Sequence, residues 1–517
     1  MPATRSQRSV AAFPSPGSSN PVAAVKIEMM RTRLTLVLLF SGMLVTAFLA
    51  ALRSGRMPLG VRGEWEWLRL PVAPEPISLA LAGLAVAAYA LFAGLGMRAL
   101  QARATTTREA LWLALLAGAS LAVQTVAQTG APVGYGLAKW VVALHQKGSN
   151  GYFTIAKTQV GDLRSFVADY PRWIQGQDAL HIGTHPPGLI VAESVLLGVM
   201  ERSPTLTRFV EDHAPDSVAL TFRYYGQDNP MSPPDRATLV LTGVLTLLAC
   251  ALTVVPLYGL ARAYLPASLA WASAAIWPLV PSSILFQPTA DTAFPLLSTA
   301  ALALAAWSAR TDGLRSLALA GATGIVLAVG MQFSLVFLAV GLIVAVVIGT
   351  SGGRSYRDRA LLIVATGVGF LALTAIVWAL TLANSFVIWW CNQRNHTRFY
   401  QEYPRSYWAW VKANAIELVV AIGLPSAVWA FLGLAWIRSV PRVALVTFGV
   451  LVFLTLSGRN LSEIGRLWLP FMPALLVAVG FAMGRLNAGP KTLAVTAALV
   501  GLQTLGLQAM IQVVYPV

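Results

Sequence analysis

Apolar runs long enough to cross a bilayer recur along the chain, separated by short arginine-bearing loops and interrupted by two long polar stretches. A helix rises roughly 1.5 Å per residue, so about 20 apolar residues cross roughly 30 Å of hydrocarbon. This pattern predicts spans near 34–52, 77–97, 110–129, 237–260, 268–285, 293–308, 316–331, 333–349, 360–382, 414–436, 443–457, 467–484 and 492–514, about thirteen in all. The polar stretch 131–235 is too hydrophilic for a row of spans and predicts a large extracytoplasmic loop carrying juxtamembrane helices. Within it, Pro187 to Met200 reads as a short amphipathic helix lying at the interface. The second polar stretch, 384–412, predicts another outer loop. Ahead of the first span, residues 1–30 predict a disordered cytoplasmic tail, rich in Ser, Pro and Ala over its first 25 positions. No apolar run precedes Leu34, so that tail does not read as a cleaved signal peptide. The expected fold class is an all-α polytopic membrane protein, with residues 31–517 forming one transmembrane domain.

Charge fixes the expected sidedness. Arg31 and Arg33, Arg98 with Arg103 and Arg108, Arg262, Arg310 and Arg315, Arg354 with Arg357 and Arg359, Arg438 and Arg442, and Arg485 with Lys491 all fall on one side of that map. The positive-inside rule makes that side cytoplasmic, in a cell's inner (plasma) membrane. Composition agrees: 11% of residues are charged and mean hydropathy is +0.66, against about 25% charged in soluble domains. A formal charge of +16 taken alone would suggest nucleic acid. The basic residues sit in short loops beside apolar spans, so membrane lipid headgroups are the expected partner and nucleic acid is not. On this map His145, His181, His185, His213 and His396 all face outward, and the spans hold essentially no ionisable side chain. A charge at the bilayer centre costs about 2.5–3.5 kcal/mol, and ion-coupled carriers hold such groups for function. Their scarcity argues against a coupled carrier. Cys250 in a span and Cys391 in an outer loop predict no disulfide.

Candidate chemistry gathers at the outer boundary. The stretch His181–Gly188, HIGTHPPG, is stiffened by two prolines and carries two imidazoles four residues apart. Gly183 and Pro186 interrupt a helix that would align those imidazoles on a metal, and no third ligand stands out. A divalent metal is therefore compatible but not indicated. Carboxylates available as a base are Asp162, Asp178, Asp291 and the Glu64–Glu66 pair. Asp162 leads because its loop ends in THPPG. Arg466 sits about one turn into a late span, at headgroup depth, with Glu463 three residues earlier on the same face. The stretch 384–412 interleaves aromatic rings with Asn, Gln and Arg, including Arg394, His396, Tyr400 and Arg405, a pattern suited to sugar stacking and hydroxyl recognition. The same features also fit structural roles: an aromatic belt for Trp65 and Trp67, a helix cap for Asp291, and an i, i+3 pair for Glu463 and Arg466.

Three elements, in order and on one side, carry a resemblance: Thr184-His185-Pro186-Pro187-Gly188 closing the large loop, Pro288-Thr289-Ala290-Asp291 before Phe294-Pro295, and Glu463-Ile464-Gly465-Arg466 opening a late span. Over residues 110–485 the chain resembles the GT-C superfamily of lipid-carrier-dependent glycosyltransferases, nearest to the protein O-mannosyltransferase-like and lipid A aminoarabinose transferase-like enzymes. It departs in two places. The large loop follows the third span rather than the first, and Asn150 stands where the family carries an early Asp. The resemblance implies a polyprenyl-phosphate sugar as donor, a glycan, lipid or protein acceptor, and no certain cofactor. It implies catalytic roles for Asp162, His185 and Asp291, and donor-phosphate contacts from Arg466, Glu463 and His181. Sugar or acceptor contacts would come from Arg394, His396, Tyr400, Arg405, Glu64 and Glu66. A transporter or flippase of a lipid-linked glycan is the alternative from another class, and a non-catalytic membrane scaffold is a third. Converging carboxylate and Arg at one outer cavity would favour transfer, whereas a charged path through the spans would favour transport.

The sidedness is testable directly. In a background lacking the native cysteines, Val160→Cys is expected to react with an impermeant maleimide from outside intact cells, and Ser355→Cys is expected not to. The opposite pattern would invert the topology.

Overall fold

The computed structural model describes residues 21–514. The chain is helical nearly throughout, and the only sheet among the described residues is two pairs of two-residue strands. Nine helices among them are long and apolar enough to cross a membrane: Glu28–Arg53, Pro76–Ala102, Thr106–Gln128, Pro233–Arg262, Ala290–Ser308, Gly313–Met331, Tyr356–Thr381, Ile464–Arg485 and Pro490–Met510. A bent pair, Tyr407–Ile422 with Leu424–Ala435, makes a tenth if counted as one span. The other three expected spans correspond to shorter apolar helices, Ala267–Leu279, Val336–Gly349 and Arg442–Leu456. Val336–Gly349 has 14 residues, about 21 Å of helix, which is short of the roughly 30 Å hydrocarbon layer. The count of thirteen therefore counted apolar residues rather than continuous helix. In the run 268–285, Pro278 and Pro281 divide the helix into three short pieces. The N-terminal helix starts at Pro21, so residues 21–30 are helical where a tail was expected. The rest of that expected tail, 1–20, lies outside the described residues.

Burial ranks the helices. In Ile464–Arg485, 83% of the most apolar window is buried in protein, against 17% in Glu28–Arg53 and in Tyr356–Thr381. The late span that carries Arg466 is thus the centre of the bundle, and the first span and Tyr356–Thr381 lie at its rim. The stretch 131–235 folds into short helices at one end: Lys139–His145, Tyr152–Gln159, Leu163–Trp173, Gly188–Arg202, Pro204–Asp212 and Asp216–Tyr225. An ion pair between Lys157 and Asp235 ties this layer to the head of the next span. Leu68–Arg69, after the first span, pairs antiparallel with Ile511–Gln512, which follows the last one.

The bend in the tenth candidate span is local and fully accounted for. The chain turns by 107° between Ile422 and Leu424, where Gly423 has φ +92°, a region that glycine enters without strain. A break at membrane depth frees backbone groups that no water can satisfy. Gln503, fully buried, satisfies one on each side: its Oε1 accepts from Leu424 N at 2.6 Å and its Nε2 donates to Val420 O at 3.0 Å. Replacing Gln503 by Leu strands Leu424 N, at about 1–3 kcal/mol, while Val420 O keeps the bond from Gly423 N at 3.2 Å. Gln503→Leu is therefore expected to lower the thermal midpoint in detergent by several degrees, read by scanning fluorimetry. An unchanged midpoint would mean that packing alone holds the bend.

Candidate functional site

The HIGTHPPG stretch is a tight turn leading into the helix Gly188–Arg202, with Pro187 at its N-cap. Its carbonyls are held from outside. Tyr170 donates to His185 O at 2.5 Å, and Asn392 Nδ2 donates to the same oxygen at 2.8 Å. Asn395 Nδ2 donates to Gly183 O and to Ile174 O, both at 3.0 Å. A Cβ at Gly183 would stand 1.9 Å from Asp178 O, so the turn closes only around glycine. Asn392 and Asn395 come from the 18-residue helix Ser385–Glu402, in a stretch read from the sequence as a loop. The misreading has a physical origin. The buried stripe of this helix carries Ser385, Asn392 and Asn395 among Ile388, Trp389 and Cys391, because part of it packs on backbone carbonyls through the asparagines. Its apolar face is therefore interrupted.

Against this turn stands Arg466, at the head of the central span and 13% exposed. Its Nη2 lies 2.7 Å from Glu463 Oε2 and 3.3 Å from His181 Nδ1, and its Nε lies 3.6 Å from Asp291 Oδ2. A guanidinium only donates, so His181 Nδ1 is the acceptor. Burial, with the Arg466 and His185 charges, pushes the His181 pKa well below its usual value and keeps the ring neutral. His185 Nδ1 is 2.9 Å from His181 O. A carbonyl only accepts, so this nitrogen carries the proton and Nε2 keeps its lone pair. Burial lowers the His185 pKa too, although Asp291 opposes the shift. The Asp291 side chain is 15% exposed and accepts no hydrogen bond among the described residues. It caps no helix: Phe294–Ser308 has no side-chain cap.

These groups line two adjoining chambers. The larger, about 520 Å³, has a polar wall that includes His185, Asp291, Gln393, His396, Arg459 and Asn460. Its other wall is apolar and includes Leu338, Leu342, Val450, Phe453 and Leu454, from the short helices Val336–Gly349 and Arg442–Leu456. Leu338, Leu342 and Phe453 are also exposed on the outside of the bundle, so this wall continues to the lipid-facing surface. The smaller chamber, about 70 Å³, includes His181, His185, His396, Tyr400, Glu463 and Arg466. Three polar groups in the chamber walls lack hydrogen-bond partners: Trp468 Nε1, on a buried ring, His396 Nδ1 and Arg466 Nε. Burial, reinforced by His185 and Arg459, pushes His396 down to about 4. Arg459 is exposed, and its side chain has no ion pair or hydrogen bond among the described residues. Arg466, by contrast, is flanked by two carboxylates.

The turn bearing Arg459 and Arg466 is fixed by a residue that the sequence reading passed over. Glu417, fully buried in Tyr407–Ile422, accepts from Ile464 N at 3.1 Å and from Trp67 Nε1 at 2.5 Å. Three residues earlier Asn414 donates to Asn460 O at 2.7 Å. Tyr400 donates to Arg459 O at 2.7 Å and accepts from Leu461 N at 3.1 Å. The expectation that the spans held essentially no ionisable group was therefore wrong. A lone Glu in an otherwise apolar run was the available signal.

Other expected site residues lie elsewhere. Asp162 is exposed, lines neither chamber, and caps the helix Leu163–Trp173 by accepting from Ser165 N at 2.7 Å. Those Ser165 bonds hold its carboxyl below the usual carboxylate range. Arg394 is exposed and outside both chambers, since the buried face of its helix is the one carrying Asn392 and Asn395. Glu64 is a clamp: it accepts from Ser406 N at 3.1 Å and from Trp410 Nε1 at 2.6 Å, and Arg405 donates to its backbone oxygen at 3.0 Å. Desolvation works against that carboxylate, but the bonds from Ser406 and Trp410 hold its pKa below the usual range. Glu66 is exposed. Among the described residues no group of three or more His, Cys, Asp or Glu is placed to hold a metal ion. No protein-family model matches the chain, and no curated protein matches it.

Glu417→Gln would turn an amide N–H toward one of the two donors that the carboxylate now accepts from. A loss of about 1–3 kcal/mol is expected, while Glu66→Gln on the exposed strand should stay within about 0.5 kcal/mol. Thermal unfolding in detergent compares them, and equal midpoints would mean that the carboxylate does not hold the turn.

Proposed function

We propose that this chain is an integral-membrane glycosyltransferase that moves a sugar from a polyprenyl-phosphate carrier to a hydroxyl of a glycan, lipid or protein acceptor, on the outer face of the membrane. The observation that carries this reading is the convergence of a hydrogen-bond-free carboxylate, Asp291, with Arg459 and Arg466 around a cleft whose opposite wall is apolar and reaches the lipid-facing surface. That combination suits a substrate with a sugar phosphate at one end and a prenyl chain at the other.

In this mechanism Asp291 takes the acceptor hydroxyl proton as its oxygen attacks the anomeric carbon. The bond from that carbon to the phosphate oxygen breaks, and polyprenyl phosphate leaves with the bonding pair. Arg459 meets the phosphate, because it has no carboxylate of its own. Arg466, expected from the sequence to be that cation, instead positions Asp291, since Glu463 and Asp291 already surround it. The unpartnered Trp468 N–H offers a further donor to the leaving oxygen. Leu338, Leu342 and Phe453 would guide the prenyl chain out to lipid. The large loop's turn sets His185 against the acceptor side with its Nε2 free to accept.

The distribution of ionisable groups favours transfer over transport. Outside this end, the acidic and basic side chains of the spans, among them Glu109 and Arg262 with Tyr258 beside them, stand near span ends rather than along a path through the bundle.

With purified protein and a polyprenyl-phosphate sugar, Asp291→Asn is expected to cut turnover by about 10²-fold or more while donor binding persists. Arg459→Ala should weaken donor binding about tenfold, as loss of a charge-assisted contact does, and Asp162→Asn should leave turnover close to wild type. Undiminished turnover in Asp291→Asn removes the assigned base. Movement of a lipid-linked glycan across liposomes without sugar transfer would make the chain a flippase.

A further inference from the structure

A second pocket lies where the chain enters the membrane, away from the cleft and sharing no lining residue with it. The span Pro233–Arg262 has 30 residues, about 45 Å of helix. A bilayer with its headgroups is about 40–45 Å thick, so the first turns of this helix lie among headgroups. Arg236 and Val240 stand on those turns, roughly 5 and 10 Å from the start. With Glu211, Ala214, Phe222 and Arg223 they enclose about 300 Å³, at the lower end of the roughly 300–1,000 Å³ of ligand pockets.

The remaining walls come from the helices Pro204–Asp212 and Asp216–Tyr225. Leu206 and Phe209 on the first, and Leu220 and Tyr224 on the second, stay exposed. They are three and four residues apart, so each pair forms a stripe on one helical face. Such stripes beside the head of a span fit the boundary between headgroups and acyl chains. Charge selects the ligand. Arg236 lies 2.7 Å from Glu211 Oε1 and donates to Met231 O at 2.9 Å, so it is fixed and balanced. Arg223 is exposed, and its side chain has no ion pair or hydrogen bond among the described residues. The pocket therefore carries one unbalanced guanidinium at phosphate depth, beside the apolar walls Phe222 and Val240.

We propose that this pocket binds the phosphodiester headgroup of an anionic phospholipid, with Arg223 on the phosphate and the two short helices lying in the same leaflet. One net positive charge matches one phosphodiester. It gives no preference for a zwitterionic lipid, whose own cation already balances its phosphate. The apolar walls favour a lipid over a free phosphate ion. The inference is independent of glycosyl transfer.

The test is native mass spectrometry of the full chain in detergent, titrated with phosphatidylglycerol, phosphatidylcholine or inorganic phosphate. One phosphatidylglycerol should be retained, about tenfold more tightly than phosphatidylcholine, and Arg223→Ala should lose most of that preference. Arg208→Ala removes an exposed arginine of the helix Pro204–Asp212 that does not line the pocket, and should leave selective binding in place if Arg223 is the cation. Phosphatidylglycerol binding at wild-type strength in Arg223→Ala, equal retention of the two lipids, or displacement by inorganic phosphate at matching concentration would each overturn the proposal.

Discussion

Burial of the Arg466 guanidinium at the head of the central span governs the rest of this end of the molecule. A buried charge costs several kcal/mol unless it is paired and hydrogen-bonded. Glu463 and Asp291 supply the pairing and His181 supplies an acceptor. Those three arrive from different parts of the chain, and each must be held in turn. Glu463 sits in a left-handed turn whose next backbone N–H is fixed by Glu417, and Glu417 is itself fixed by Trp67 from the segment after the first span. His181 belongs to the HIGTHPPG turn, which Asn392 and Asn395 hold through its carbonyls. The helix carrying those asparagines is tied to the bundle where Trp389 donates to Met331 O at 2.9 Å. One buried cation thus places demands on segments from residue 67 to residue 466.

This arrangement also fixes the charge of the cleft over ordinary pH. His181, His185 and His396 are all held below their usual pKa, chiefly by burial. An imidazole kept neutral in the folded protein and protonated in the unfolded one makes stability fall as pH drops below about 6.5. From neutrality upward the three rings stay neutral and serve as hydrogen-bonding groups. The charges available to an anionic substrate are then those of Arg459 and Arg466, set against Glu463 and Asp291. Of these, Arg459 alone lacks a nearby opposite charge among the described residues.

Much of this was legible in the chain, and the exceptions have specific causes. The HIGTHPPG turn, Asp291 and the Glu463–Arg466 pair were recognisable because each is a compact polar signal at the end of an apolar run, and they converge. The sequence alone did not place Asp162, because an Asp that caps a helix, as it does here, and an Asp that takes a proton look the same in a polar loop. The helix Ser385–Glu402 was hidden because part of its buried face binds carbonyls through asparagines, which interrupts its apolar stripe. Glu417 was hidden by its neighbours, whose hydrophobicity swamps a single carboxylate in any window average. The bend at Gly423 depends on Gln503, which lies some eighty positions away in sequence and is invisible to local pattern.

The depth of these groups bears on what the molecule can do. The span Pro233–Arg262 runs from the pocket holding Arg236 to the pair formed by Arg262 and Glu109, roughly 40 Å apart at the rise of a helix. The turn carrying Asp291 packs against the first part of that same helix. Moving a sugar phosphate across would require polar partners at successive depths, since each unsatisfied polar group in hydrocarbon costs several kcal/mol. Here the buried polar groups lining the chambers gather at one level, and the apolar wall of the larger chamber leads sideways to lipid rather than onward through the bundle. In the proposed reaction, a substrate held with its head at that level and its tail in the bilayer would need no passage through the protein, and its reacting bond would lie where an acceptor could reach it from water.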